Sequence, residues 1–131
     1  MNYYFNTVLQ DKSFEEAIAL VTAELKKEGF GVLTEIDMKK TLKEKIGADF
    51  KRYTILGACN PNYAYKALQD EDKIGVFLPC NVIVEEAGDG RIEIAIVDPI
   101  ASMMAVKNDR LETIADEVKQ KLLRVIDNIQ E

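Results

Sequence analysis

Two short strings in this chain carry residue types able to do chemistry: Cys59-Asn60-Pro61 and Pro79-Cys80-Asn81. Each joins a thiol, which is a soft nucleophile and metal ligand, to an amide that both donates and accepts hydrogen bonds. Each also lies where proline interrupts regular backbone. If the two strands concerned are neighbours, the thiols approach across a ladder whose strands stand about 4.8 Å apart, with Asn60 and Asn81 beside them. Asn60 followed by Pro61 has the form of a helix start. A helix N-terminus lowers a thiol pKa, so Cys59 is expected to be the more reactive of the pair. The plainer reading makes Asn60 a helix cap, Asn81 the partner of a bulge, and both cysteines small core fillers.

Other chemistry is sparse. The chain has no histidine, which removes the Ser-His-Asp and Cys-His dyads, HExxH and histidine-rich zinc sites, and no GxxxxGK[ST] or GxGxxG run opens a helix. Carboxylate pairs such as Glu15/Glu16 and Glu85/Glu86 fall on predicted solvated faces or turns and receive no role. The stretch from Asp37 to Arg52 holds Lys39, Lys40, Lys43, Lys45, Lys51 and Arg52 against Asp37, Glu44 and Asp49. It could hold a phosphate or carboxylate, or it is a solvated face. Lys45, near a helix C-terminus, is the anion contact to keep, although the helix dipole favours a cation there in any case.

The elements that must position these residues belong to a chain of 131 residues, the size of one domain, read here as spanning 1–131. Seventeen Lys and Arg against 23 Asp and Glu give a net charge of -6, so nucleic acid and anionic membrane surfaces are not expected partners. Two cysteines without CxxC spacing are too few for a disulfide scaffold or a zinc knuckle. With no secretory signal pattern and no run of about 18 apolar residues, a cytoplasmic protein with reduced thiols is expected.

Along the chain, the alternation at 3–9 predicts a first strand. Ser13 with Glu16 forms a capping box ahead of Phe14, Ala17, Ile18, Val21 and Leu25, which predicts a helix over Ser13–Lys27 ended by Gly29. A strand at 30–36, a short helix capped by Asp37 and closed by Gly47, and a strand from Tyr53 to Cys59 follow, then a short helix from Asn60-Pro61. The run from Ile74 to Glu85 reads as a strand broken at Pro79, and AGDG turns it into RIEIAIV to make a hairpin that ends at Asp98-Pro99. A loop or helical turn spans Ile100 to Val106. Asp109 with Glu112 has capping-box spacing before a stripe of Leu111, Ile114, Ala115, Val118, Leu122, Val125, Ile126 and Ile129, the last long helix. With the two middle helices as insertions, the plan is α+β, with a five-stranded, mainly antiparallel sheet and the two long helices on one face.

The strings TEIDMKKTLKEKIGADFKRYTILGACNPNYAYKAL, IGVFLPCNVIVE and VDPIASM resemble, in order and spacing, the prokaryotic family catalogued as domain of unknown function 302. The resemblance covers nearly the whole chain, and GACNP and LPCNV are its most specific motifs. It implies a β-α-β4-α fold similar to the TATA-binding-protein-like class, and a homodimer; it implies no particular activity. The family pattern falls on Asp37, Lys45, Gly57, Cys59, Asn60, Pro61, Pro79, Cys80, Asn81, Asp98 and Pro99. Likeness in fold to a DNA-binding protein is analogy, and the charge of -6 opposes carrying that function over.

Three functions are consistent with these residues. The first is a binding or sensing domain in which Cys59, Asn60, Cys80 and Asn81, with Lys45, Asp37 and Asp98, line a site for a small molecule or a soft metal such as Cu(I), Met103 or Met104 adding a thioether. The second is an interaction module in which the motifs only build the fold. The third is a thiol enzyme with Cys59 as nucleophile. For self-association, the aromatic first strand with Tyr3, Tyr4 and Phe5 is the expected contact.

Overall fold

In the computed structural model, which describes residues 2–130, Ser13 accepts the Glu16 N–H and the Glu16 side chain accepts the Ser13 N–H, closing the predicted capping box. Helix α1 (Phe14–Lys27) therefore starts at the residue its pattern names. It ends in a Schellman motif: Gly29, at φ +88°, and Phe30 donate to Lys26 and Leu25. Strands β1 (Tyr4–Leu9), β2 (Gly31–Asp37) and β3 (Tyr53–Cys59) lie within a residue of their predicted bounds. Strands β4 (Cys80–Gly88) and β5 (Arg91–Val97) form the expected hairpin, whose Asp89 and Gly90 take the φ of 53° and 75° that a type I′ turn requires.

All pairings are antiparallel, in the order β1-β5-β4-β3-β2. Helix α5 (Asp109–Ile129) packs beside α1 on one sheet face. Phe14, Val21 and Leu25 of α1 and Val118, Leu122 and Val125 of α5 close over Leu9, Leu56, Val82, Val84, Ile94 and Ile96. The middle helices, α2 (Met38–Ile46) and α3 (Pro61–Asp70), are insertions: α2 buries no residue and lies against β2 and β3, while α3 packs on α5. Phe5 packs toward the core, whereas Tyr3 and Tyr4 stay exposed, so only part of the expected aromatic contact is available at the surface.

Two predicted details change. The run from Ile74 to Glu85 is not one strand: Asp72–Phe77 is a 3-10 turn, and β4 begins only at Cys80, after a cis Leu78–Pro79 peptide. Ile74 plugs a second small core with Ala67 and Leu111, while Val76 stands in solvent, so the hydrophobic run serves no sheet face before Pro79. The cap of α5 is Asn108, which accepts the Arg110 N–H; Asp109 is already helical. Asn forms this bond as well as Asp, and the apolar stripe alone could not separate adjacent capping residues.

Candidate functional site

Strand β3 delivers Cys59 to the start of α3, and the Pro79 break delivers Cys80 to the first position of β4, opposite Ala58. Both cysteines, with Asn60, line one cleft between the ends of these strands and helices α3 and α5. Tyr63, Met103 and Val118 complete its walls, and its volume is about 40 Å³. Met103 is brought there by α4 (Pro99–Ser102). Asp98 anchors that turn by accepting the Ile100 N–H and by a 2.9 Å ion pair with Lys119 of α5. Asp98 thus places the cleft wall from behind.

Asn60 occupies the N-cap position of α3, yet its side chain makes no capping bond there. It is buried, and its Nδ2 donates to the Glu28 carbonyl at the end of α1. A Cβ on Gly29 would lie 3.0 Å from the same Nδ2. The amide therefore ties the α1 terminus to the cleft rim. Asn81 goes elsewhere: one residue beyond Cys80 on a pleated strand, it is exposed and paired with Gly57 on the opposite sheet face. Asp37 caps α2 by accepting the Lys40 N–H. Lys45 is exposed near the other end of α2, and neither residue lines the cleft. The basic stretch does not converge on one point either: Lys39 donates to the Phe50 carbonyl, while Lys43, Lys51 and Arg52 pair with Asp49, Glu85 and Glu15. Met104 is exposed and lies outside the cleft.

The thiols are not activated. Burial raises Cys59 above its ordinary value of 9.0. Burial first, and the neighbouring Cys59 second, push Cys80 up to about 11. Cys59 lies two residues before the first helical residue, Pro61, in an apolar cleft, and burial there sets the direction of its shift. Nucleophilic attack by thiolate is therefore disfavoured at neutral pH. The expected result with iodoacetamide at pH 7 is slow modification of both cysteines in the folded chain, with the Cys80 rate rising about tenfold per pH unit toward 11. Stability should fall between about pH 9 and 11: the unfolded chain gives up the Cys80 proton near 9.0 while the folded chain keeps it, so unfolding releases a proton in that window. Peptide mapping of the alkylated cysteines and urea melts across this range check both statements.

Among the described residues, no group of three or more His, Cys, Asp or Glu side chains is placed to hold a metal ion, and no helix is long and apolar enough to cross a membrane. No curated protein matches the chain. Among solved structures, it is similar to the crystal structure of the uncharacterized conserved protein DUF302 from Bacillus stearothermophilus, at 29% identity and a TM-score of 0.87, over 95% of this chain and 96% of that one. The family model for domain of unknown function DUF302 matches residues 5–129, and with the sheet order, the GACNP and LPCNV strings and the cleft they frame all in place, the chain belongs to the DUF302 family.

Proposed function

We propose that the chain is a binding domain for a soft monovalent metal ion of the Cu(I) class, held in the cleft by Cys59, Cys80 and Met103. The observation that carries this reading is that two thiol residues and one thioether residue wall a single small cleft. Soft sulfur ligands select soft ions, whereas structural zinc asks for four nitrogen or sulfur ligands. Size favours an ion over an organic ligand. A cleft of about 40 Å³ is well below the roughly 300–1,000 Å³ of organic-ligand pockets. The protonated thiols set the price of binding as released protons, so affinity should climb with pH.

Titration with Ag(I), a soft ion that does not change oxidation state here, is the test. One equivalent is expected to bind with proton release, and Cys59→Ser and Cys80→Ser should each weaken it by at least about a hundredfold, Met103→Leu by about tenfold. Retention of stoichiometric Ag(I) by the double Cys59→Ser, Cys80→Ser chain, or preference for Zn(II), would overturn the reading.

A further inference from the structure

The sheet face turned away from α1 and α5 carries a second, larger recess of about 440 Å³, inside the range of organic-ligand pockets. Its floor is Ile83 and Ala95; Tyr3 and Tyr4 stand on one side and Tyr53 on the other. The Tyr3 and Tyr4 rings meet edge to face at 5.0 Å. Burial, then Glu85, raise the Tyr53 hydroxyl pKa; Lys51 lowers it, and Tyr3 adds a smaller rise.

One end of this recess holds Glu85 and Glu93, directly opposed on β4 and β5. Opposed like charges weaken a ladder. Here Asn6 donates to Glu93 at 2.7 Å, and Lys51 pairs with Glu85, the side chain of which is only 15% exposed. Both carboxylates raise the Lys51 pKa, and the Lys51 ammonium lies 5.9 Å from the Phe50 ring centre. The chain's own ammonium group thus already occupies the rim, and two carboxylates against one lysine leave one negative charge over.

We infer that this recess binds an organic ammonium ion, its cationic head at Glu85 and Glu93 and its apolar body on Ile83 and Ala95 between the tyrosines. Tyr53, paired with Glu85 across the ladder, supplies a π face near the cation, the carboxylates supply charge, and the floor with Tyr3 and Tyr4 takes hydrocarbon. A second copy of the chain fits this face less well. Two-fold docking with its axis at Glu85 and Glu93 would bring four carboxylates together against two lysines. The site is separate from the thiol cleft and does not depend on it.

The test uses the whole chain at pH 7 with hexylammonium chloride, hexanol and hexanoate. Three of the five tyrosines wall the recess and the chain has no tryptophan, so tyrosine emission reports binding directly. Hexylammonium should saturate with a Kd of about 1 mM or below, and hexanol and hexanoate should bind at least about tenfold more weakly. Glu85→Gln with Glu93→Gln should weaken hexylammonium at least about tenfold, and Tyr53→Leu about threefold, with thermal midpoints confirming that each variant is folded. Equal binding of the three probes, no saturation, or an unweakened glutamine double variant would overturn the proposal. So would light scattering at twice 14.8 kDa with the recess tyrosines shielded from quencher, since a second copy would then cover the face.

Discussion

Leu122→Asp is expected to leave a chain without a cooperative thermal transition. Leu122 is fully buried at the centre of the α5 stripe, among Val118, Val125 and the inward residues of the sheet. An aspartate there has no cation within the core to pair with and no route to water, so it is buried as an unpaired charge or protonated at a cost of several kcal/mol. Domains of this size have about 5–15 kcal/mol in total. Leu122→Ala provides the graded control: it removes volume without adding charge and should cost about 2–5 kcal/mol while preserving cooperativity. Circular dichroism melts of the two variants check the pair. A Leu122→Asp chain that melts at the parent midpoint would mean that α5 does not pack by this stripe.

The second large effect is expected at Gly57. Its φ is ordinary, so the reason for glycine is space. A Cβ would fall inside the contact distance of Thr34 Oγ1 on β2 and 2.7 Å from Cγ of Pro79. Thr34 can rotate away, but the Pro79 ring is fixed to the start of β4, so the strands themselves must part. Gly57→Ala should cost about 1–3 kcal/mol, in the range of overpacked cores, and Gly57→Val more. Gly31→Ala is the contrast, since nothing lies within 4 Å of its Cβ position. Urea melts of Gly57→Ala, alone and with Thr34→Ala, separate the two contacts: relief by Thr34→Ala should be partial, because the proline remains. Full rescue would assign the whole conflict to the threonine.

How far the molecule is legible from its residues depends on the range of the interaction. Capping at Ser13, the α5 stripe and the Asp89-Gly90 turn are local, and each forms as its spacing implies. The convergence of Cys59 and Cys80 in one cleft was readable because each lies at a strand end within two residues of a proline. Asn81 was misplaced by the same argument: a one-residue step along a pleated strand reverses the side-chain direction, and grouping Asn81 with Cys80 ignored that alternation. Asn60 was readable as a helix start, but its bond to the Glu28 carbonyl joins residues 32 apart in sequence, and no local pattern encodes such a contact. The thiol pKa values went the wrong way because desolvation depends on walls supplied by α3, α4 and α5. The tyrosine recess is not legible in the sequence: Glu85 reads there as a surface carboxylate, and Tyr3 and Tyr4 read as a self-association contact. Glu85 and Glu93 alternate with buried Val84 and Ile94, which signals only that they face away from the core. That this face gathers Tyr3 and Tyr53 needs the strand order.

That order, β1-β5-β4-β3-β2, also shapes the time course of assembly. Strands β2 to β5 meet neighbours that follow one another in the chain, so they can zip as a meander with modest loop closures. Strand β1 has its partner at the far end: Tyr4 pairs with Val97. During synthesis β1 must wait until β5 has emerged, whereas α1 can already pack on β2 and β4, and until β5 arrives the β4 edge is an open row of amides. The last strand to dock is thus the first in the domain to be made, and the tyrosine recess, which takes one wall from β1 and the other from β3, is among the last features to form.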